Sequence, residues 1–347
     1  MTRFVRPLID RSPAYTPGEQ RAGKLVKLNT NECPYTPSPR VVEAITAAAQ
    51  RLMRYPEPDA DKACEALARK LGVPRACVLA ANGSDETLRL VFQAYVDPGE
   101  SVAWSTPTYT LYQVLANFAG ARVVDVPRRA DYTVPVAELS EVRAKLTILC
   151  SPNSPTGTVT PLAELEQLAR TGRLLLVDEA YADFTGHTAV ELTQKYDNVI
   201  VARTLSKSYA LAGLRVGFAV AHPALIDELR KLKDSYNVSM CANFGAAAAI
   251  EDDAYAADLQ HRIVATRERL MAGLQKLGWK VHPTGSNFVF TEPRDRKGRA
   301  VHDFLSAAGI LVRCFPDDPR TAAGVRITVG TDAEIDRLLE VLGEYGR

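Results

Sequence analysis

The sequence predicts an α/β fold: a large, mainly parallel sheet wrapped by helices, with a smaller α+β domain beside it. Short apolar runs alternate with amphipathic stretches up to about Asp253, which is typical of β–α units. The alternation stops there, and a long helical pattern and a few short strands follow. A length of 347 residues also favours more than one domain. We expect a large domain over 38–253, and a small α+β domain with the N-terminal segment from 1–37 and 254–347.

The elements of the large domain follow in chain order. Ser38-Pro39 begins a helix, since serine is a good N-cap and proline fits the first helical position. Apolar runs then predict strands at Ser101–Trp104, Ala121–Val126, Leu146–Cys150, Leu174–Val177, Asn198–Ala202 and Val216–Ala221. Helical spacing predicts helices at Thr87–Ala94, Tyr109–Phe118 and Leu162–Ala169.

The C-terminal third has a different pattern. A helix over Tyr255–Leu277 ends at a glycine, and Thr331-x-x-Glu334 forms a capping box that opens the last helix. The polar run Arg294–Arg299 is interpreted as a loop or hairpin tip. Strands are predicted at Asn287–Phe290, Ile310–Val312 and Val325–Val329.

Composition excludes several classes of function. Lys+Arg number 42 against 41 Asp+Glu, so the net charge of +1 gives no reason to expect nucleic acid or an anionic membrane as a partner. No apolar run approaches the ~20 residues of a membrane span, and the charged start resembles no signal peptide, so we expect a cytoplasmic protein. The cysteines and histidines are scattered without metal-ligand spacing, so no metal is expected. GxGxxG and GxxxxGK[ST] are absent, which disfavours a nicotinamide dehydrogenase and a P-loop enzyme.

Polar clusters follow several predicted strands, where α/β proteins bind ligands. Asn82-Gly83-Ser84-Asp85-Glu86 precedes a helix, and Ser84 as its cap would leave N–H groups for a phosphate. A plain helix cap explains the same residues. Asn153 lies in a stiff loop, Ser151–Gly157, that could present its amide to a ligand or be a simple turn. Asp178 ends an apolar strand, so it needs a partner, either an arginine or a cation.

A further cluster, Thr204-Leu205-Ser206-Lys207-Ser208-Tyr209, is followed by Arg215. A lone lysine is usually a solvated surface residue, but hydroxyls and an arginine around it suit a phosphate, and the lysine suits Schiff-base chemistry. With the aromatic Tyr109 and the clusters above, these parts match the needs of pyridoxal phosphate. That cofactor needs a lysine for its aldehyde, a carboxylate for its ring nitrogen and a cradle for its phosphate.

The chain resembles the fold-type I pyridoxal-phosphate-dependent aminotransferases over nearly its whole length, and within them the histidinol-phosphate aminotransferases. The resemblance implies a sheet of the seven-stranded type. The motifs that carry it are Leu28–Glu32, Arg54–Pro58, Ser151–Gly157, Asp178–Tyr181, Thr204–Lys207 with Gly213–Gly217, Tyr236–Val238, Ser286–Phe288 and Val325–Gly330.

The resemblance also implies roles for individual residues. Lys207 binds pyridoxal 5'-phosphate covalently, Asp178 pairs with the ring nitrogen, and Tyr109 stacks on the ring. Asn153 and Tyr181 contact the ring oxygen. The implied phosphate contacts are Ser84, Asp85 through its N–H, Thr204, Ser206 and Arg215. Cys33 stands where many members carry another residue, in a segment that lines the substrate entrance.

The implied substrates are a small amino donor and a 2-oxo acid. Arg326 grips the substrate carboxylate, Arg313 is the candidate for a substrate phosphate, and Asn29 is a further substrate contact. The leading hypothesis is transamination of L-histidinol phosphate with 2-oxoglutarate in histidine biosynthesis. An aromatic amino acid aminotransferase and a phosphothreonine-type decarboxylase stay open on the same scaffold. Tyr55 reaching the partner subunit's cofactor phosphate implies a homodimer.

Overall fold

The computed structural model describes residues 4–16, 18–21, 23 and 25–345. The strands within them, numbered along the chain, are β1 (Val26–Lys27), β2 (Val78–Ala81), β3 (Ser101–Trp104), β4 (Arg122–Asp125), β5 (Leu146–Cys150), β6 (Leu174–Asp178), β7 (Val199–Thr204), β8 (Gly217–Ala221), β9 (Lys280–Val281), β10 (Phe288–Glu292), β11 (Ile310–Leu311), β12 (Arg313–Cys314) and β13 (Val325–Thr328).

The α-helices of the same residues surround and connect these strands. They are α1 (Pro7–Asp10), α2 (Pro39–Ala49), α3 (Asp61–Leu71), α4 (Ser84–Tyr95), α5 (Leu111–Ala119), α6 (Val136–Glu141), α7 (Leu162–Ala169), α8 (Pro223–Leu232), α9 (Met240–Glu251), α10 (Asp253–Lys276), α11 (Gly298–Ala307) and α12 (Asp332–Leu342). In the described part of the chain, no helix is long and apolar enough to cross a membrane.

A seven-stranded sheet forms the larger part of the molecule, in the order β2-β8-β7-β6-β5-β3-β4. β8 runs antiparallel to both of its neighbours, and the five strands from β7 to β4 are parallel. Alternate residues of β6 join different hydrophobic clusters, Leu175 and Val177 in one and Leu176 in the other. Both faces of the sheet are therefore covered, which explains the continuous apolar runs in the sequence. The predicted α/β class is confirmed.

A second, antiparallel sheet of four strands, β12-β13-β10-β9, belongs to the C-terminal third. β1 pairs in parallel with β11, so the N-terminal segment joins this part of the molecule. A separate cluster that includes Leu270, Val289 and Leu338 forms its core. The domain limits at 37/38 and 253/254 stay a prediction, and residues 1–3 and 346–347 of it lie outside the described residues.

Several local expectations change in the structure. Gly83, not Ser84, is the N-cap of α4, and no side chain caps this helix. α11 already begins at Gly298, so the predicted loop Arg294–Arg299 is shorter than expected. The predicted capping box of Thr331 and Glu334 is present. β2, α3 and α9 were not anticipated, and α9 is buried on most of its surface, so it shows no apolar stripe.

Candidate active site

A cavity of about 550 Å³ opens where the parallel strands β5, β6 and β7 end. Its lining includes every site residue expected from the sequence except Asn153 and Tyr55. Those present are Asn29, Ser84, Asp85, Tyr109, Asp178, Tyr181, Thr204, Ser206, Lys207, Arg215, Arg313 and Arg326. The strand-end clusters of the sequence therefore meet in one place, as parallel topology requires.

Lys207 enters the cavity from the loop that follows β7. Its Nζ donates a hydrogen bond of 3.2 Å to the backbone carbonyl of Thr30. Burial, and next the positive charge of Arg326, lower the pKa of Lys207 to about 8, although Glu32 and Asp85 oppose the shift. About a tenth of the amine is thus unprotonated at pH 7, far more than for an ordinary lysine, and the unprotonated amine is the nucleophile.

Asp178 is the last residue of β6 and is 3% exposed. The Tyr112 hydroxyl donates to its Oδ2 at 2.6 Å, and the Ala180 N–H donates to its Oδ1 at 3.1 Å. Burial raises the pKa of Asp178 to about 6, and these hydrogen bonds only partly oppose the shift. Of the two partners that the sequence leaves open, an arginine and a cation, the arginine is not among the contacts described for Asp178, and Tyr112 is the side-chain partner. A buried carboxylate that lines a cavity favours a cationic ligand group there.

Tyr112 itself was not anticipated from the sequence. It is fully buried in α5 and lies three residues after Tyr109, with the two rings edge to face at 5.6 Å. That i, i+3 spacing on a predicted helix was the available signal, since such residues share a face. Tyr109 lines the cavity and donates to the Asp85 carboxylate at 3.3 Å.

Tyr181 lies near Lys207, whose Nζ is 5.9 Å from the centre of the Tyr181 ring, and contacts with two other residues fix its position. Asn31 Nδ2 donates to the Tyr181 hydroxyl oxygen at 2.9 Å, and the Phe288 ring packs edge to face on Tyr181 at 5.1 Å. Burial raises the pKa of Tyr181 to about 12, so the phenol keeps its proton at neutral pH. Asn31 belongs to the motif Leu28–Glu32, but the sequence does not predict its contact with Tyr181.

Asn153 is fully buried and does not line the cavity. Its amide nitrogen donates to the Pro107 carbonyl at 3.0 Å and to Thr156 Oγ1 at 2.8 Å, and its Oδ1 accepts from Thr108 at 2.9 Å. Asn153 therefore braces the loop beneath the cavity in this structure. Its contact with a ring oxygen stays a prediction.

The amino end of α4, where the sequence leaves an anion cradle and a plain helix cap open, lines the cavity with Ser84 and Asp85. Gly83 has φ +78°, and a Cβ there would lie 2.5 Å from Arg215 Nη2. The Arg215 guanidinium is half exposed and makes long contacts of 3.4 Å, to Ser206 Oγ and to Asp85 Oδ2. Helix N–H groups, two hydroxyls and a loosely held guanidinium together suit a phosphate group. The Thr204 hydroxyl donates to Ser206 Oγ at 3.0 Å and orders this side of the cradle.

Two arginines of the C-terminal part reach the cavity from the opposite side. Arg326 donates to Ser154 Oγ at 3.0 Å and to the Asn29 carbonyl at 2.8 Å. Among the described residues its buried Nε has no hydrogen-bond partner, and neither has Asn29 Oδ1. Arg313 donates to the Thr16 carbonyl at 3.2 Å. Two guanidinium groups in one cavity give it the charge to receive an acidic substrate.

Tyr55 lies outside this cavity. Its side chain is 79% exposed and stacks on Tyr236 with ring centroids 4.6 Å apart. Both tyrosines line a neighbouring pocket that also contains Arg215. Cys33 does not line the cavity either; it packs against the cluster that contains Tyr181 and Phe288.

The cavity therefore combines an activated lysine, a buried carboxylate, an anion cradle and two arginines. These residues fit a bound group that has an aldehyde, a basic ring nitrogen and a phosphate. The Asp178 carboxylate is the strongest sign: it accepts two hydrogen bonds but forms no ion pair with the described residues, and a buried charge without a counter-charge is costly unless a ligand completes the site.

Comparison with known proteins agrees with this geometry. The family model described as aminotransferase class I and II matches residues 23–342. Histidinol-phosphate aminotransferase 1 of Trichormus variabilis is 40% identical over 351 residues, with 100% of both chains covered. The histidinol-phosphate aminotransferase of Synechocystis sp. is 42% identical over 337 residues, with 96% of each chain covered.

A solved structure is similar over the whole chain. The crystal structure of histidinol-phosphate aminotransferase from Sinorhizobium meliloti in complex with pyridoxal-5'-phosphate has a TM-score of 0.90 at 28% sequence identity. The alignment covers 99% of this chain and 97% of that one. These likenesses confirm the resemblance carried by the sequence motifs, and the chain belongs to the aminotransferase class I and II family.

Proposed function

We propose that this aminotransferase uses pyridoxal 5'-phosphate to exchange an amino group between L-histidinol phosphate and 2-oxoglutarate in histidine biosynthesis. The observation that carries the proposal is one cavity lined by Lys207, Asp178 and three arginines, Arg215, Arg313 and Arg326. The names of full-length relatives at 40–42% identity support the choice of substrate.

In this proposal each part of the cofactor has a partner. Lys207 binds its aldehyde carbon, Asp178 pairs with its ring nitrogen, and Tyr109 stacks on its ring. Asn153 and Tyr181 approach its ring oxygen. Its phosphate is held by Ser84, the Asp85 N–H, Thr204, Ser206 and Arg215. This assignment is supported by the position of all five residues in the cavity lining and by the close approach of Gly83 to Arg215.

When bound, pyridoxal phosphate supplies an electron sink for the pair left on the substrate carbon after its proton is removed. Asp178 contributes by keeping a proton on the ring nitrogen, because a buried carboxylate stabilises a cationic N–H next to it. Tyr112 holds the Asp178 carboxylate in place with its 2.6 Å hydrogen bond.

Lys207 also serves as the proton carrier. Its amine, with a pKa of about 8, can take a proton from the substrate carbon and then deliver it to the cofactor carbon. Its Nζ lies beside the Thr30 carbonyl, and Thr30 and Glu32 line the same cavity.

The two arginines serve the two substrates in turn. Arg326, already oriented by Ser154 and the Asn29 carbonyl, grips a carboxylate when glutamate or 2-oxoglutarate is bound. Arg313 binds the phosphate of histidinol phosphate in the other half of the cycle. Guanidinium groups suit both because they donate two parallel hydrogen bonds to carboxylate or phosphate oxygens.

We further propose that the protein works as a cytoplasmic homodimer in which Tyr55 reaches the cofactor phosphate in the partner subunit. Large apolar side chains are exposed around Tyr55, and Met53 is 78% and Leu52 is 58% exposed. Adjacent exposed apolar side chains favour a protein–protein interface. The pocket they line contains Arg215 of the cradle, so an interface here would adjoin the phosphate site.

The test of the substrate is a comparison of kcat/KM for L-histidinol phosphate, L-phenylalanine and L-tyrosine with 2-oxoglutarate as acceptor. We expect histidinol phosphate to lead by 100-fold or more, about 3 kcal/mol, as a charge-assisted contact to phosphate allows. Arg313→Gln should remove most of that preference while L-phenylalanine is used as before. A wild-type preference for the aromatic amino acids would instead indicate an aromatic aminotransferase.

A further inference from the structure

A buried cluster of charged side chains lies just outside the cavity, on the far side of the residues that line it. Arg203 donates to Glu179 Oε2 at 2.7 Å and also pairs with Asp183, and Ser208 donates to the Asp183 carboxylate. The side chains of Glu179, Asp183 and Arg203 are 3%, 16% and 11% exposed. Not one of these four residues, which we call the Arg203 cluster, lines the cavity.

Each member of the Arg203 cluster is close in sequence to a residue of the site. Glu179 follows Asp178, Arg203 precedes Thr204, Ser208 follows Lys207, and Asp183 comes two residues after Tyr181. Arg203 and Thr204 are successive residues of β7, whose side chains point to opposite sides, so Thr204 faces the cavity while Arg203 faces the cluster. The cluster thus belongs to the same two chain segments, 178–183 and 203–208, that present Asp178, Tyr181 and Lys207.

The hydrogen bonds of the Arg203 cluster are well satisfied. Glu179 also accepts from the Thr188 hydroxyl at 2.7 Å and from the Ala189 N–H. Burial alone lowers the pKa of Arg203, but Asp183 and Glu179 reverse this and raise it, so the guanidinium stays charged. Buried ion pairs of this kind add little net stability because desolvation offsets their attraction, but breaking one partner away is costly. Their effect is to fix the positions of the joined side chains relative to one another.

The Lys207 side chain needs such support. The one hydrogen bond described for its amine is the 3.2 Å contact with the Thr30 carbonyl. In the proposed enzyme this amine alternates between the cofactor and a proton-carrying role, so no permanent contact at Nζ can hold the lysine in place. Its position must come from the backbone, and the Ser208 hydroxyl is bonded to the cluster at the next residue.

We propose that the Arg203 cluster is a positioning device for the reaction: through Ser208, Asp183, Arg203 and Glu179 it ties the segment that carries Lys207 to the strand end that carries Asp178. This rests on the proposed function, in which those two residues hold opposite ends of one cofactor ring. The cluster fixes the direction from the lysine amine to the carboxylate, and so the tilt of the ring between them. Its members are positioning residues, since they do not touch the reacting atoms.

The test uses the holoenzyme and three variants: Ser208→Ala removes the link next to Lys207, Asp183→Asn removes its charged acceptor, and Ser208→Thr restores a hydroxyl. The first readout is the visible circular dichroism of bound pyridoxal phosphate divided by its absorbance, which reports how uniquely the ring is oriented. The second is kcat set against KM. We expect Ser208→Ala to bind cofactor fully, to lose at least half of this ratio and to lower kcat about tenfold or more, because slight misplacement of reacting groups slows a reaction strongly. KM should stay within about threefold.

Ser286→Ala is the matched control, since Ser286 is fully buried and its hydroxyl bonds to Thr284 and to the backbone carbonyl and N–H of Phe288, outside the cavity lining. It should leave both readouts unchanged, and Ser208→Thr should recover most of the loss. If Ser208→Ala does not fold, Asp183→Asn decides with the same readouts. In the double variant the losses should be less than additive, because both changes break one link.

The proposal is overturned if Ser208→Ala and Asp183→Asn keep the wild-type ratio and kcat, or if Ser286→Ala loses as much as they do. Failure of the proposed function has a different appearance. The wild-type protein itself would then show no visible band with pyridoxal phosphate.

Discussion

Replacing Asp178 by asparagine is expected to stabilise the cofactor-free protein while it damages cofactor binding. The carboxyl group is 3% exposed, and burial raises its pKa from 3.8 to about 6. The native protein therefore holds this proton more tightly than the unfolded chain does. For that reason, the contribution of Asp178 to the free energy of unfolding falls as pH rises from about 4 to about 6, and stays low above that.

The size of the effect follows from the pKa. A shift of about two units at ~1.36 kcal/mol each makes the ionised Asp178 cost about 3 kcal/mol at neutral pH. Asparagine removes this charge but cannot accept both the Tyr112 and the Ala180 hydrogen bonds. The lost hydrogen bond destabilises the variant by about 1 kcal/mol. The cofactor-free Asp178→Asn protein should therefore be about 2 kcal/mol more stable than the wild type above pH 7, and its affinity for pyridoxal phosphate should fall.

The assay is urea unfolding of both cofactor-free proteins between pH 4 and pH 8. The difference between them isolates Asp178, and it should grow through pH 4–6 and then level off. Glu292→Gln is a control of opposite sign: burial raises the pKa of Glu292, but hydrogen bonds from His282 and Lys280 outweigh this and lower it. That variant should lose stability at neutral pH. If the difference in the free energy of unfolding between Asp178→Asn and the wild type does not change between pH 4 and pH 7, burial does not raise the pKa of Asp178.

Three further predictions concern the same cavity. Tyr112→Phe removes one of the donors to Asp178 and should raise the Asp178 pKa from about 6 by about one unit, which lowers the ionised fraction at pH 7 from about 90% to about half. Fluorescence titration at pH 7 should therefore give about twofold weaker cofactor binding, and unchanged affinity would contradict this. Gly83→Ala places a Cβ 2.5 Å from Arg215 Nη2, and displacing that guanidinium should weaken cofactor binding about tenfold, whereas an unaltered dissociation constant would count against the phosphate cradle. The rate at which cofactor-free protein captures pyridoxal phosphate by stopped-flow should rise with pH and level off above about pH 8, the pKa of Lys207; a rise that continues to pH 10 would show an ordinary lysine.

The sequence was sufficient for those parts of the site that depend on local pattern and parallel topology. Asp178 and Lys207 each come at or just after an apolar strand, and parallel neighbours place such residues at one edge of a sheet. β3, β5 and α7 have the bounds expected, because their apolar runs end sharply at polar residues or turns. The resemblance to a known family then added the substrate hypothesis and the roles of individual residues.

Contacts between distant residues could not be predicted in the same way. Tyr112 is 66 residues from Asp178 in sequence, and Asn31 is 150 residues from Tyr181. The Arg203 cluster was also missed, since charges beside an apolar strand usually indicate a solvated end. Gly83 caps α4 in place of Ser84 because the backbone turns one residue earlier, and periodicity does not report such detail.

In the proposed enzyme Lys207 carries pyridoxal phosphate, and trapping the covalent bond chemically identifies the lysine involved. The protein is incubated with pyridoxal phosphate, reduced with borohydride so that any imine becomes a stable amine, digested, and mapped by mass spectrometry. We predict a single pyridoxyl group, on the peptide that contains Lys207, and none in the Lys207→Ala variant. Modification of a different lysine, or no stable modification at all, would show that Lys207 does not bind pyridoxal phosphate covalently.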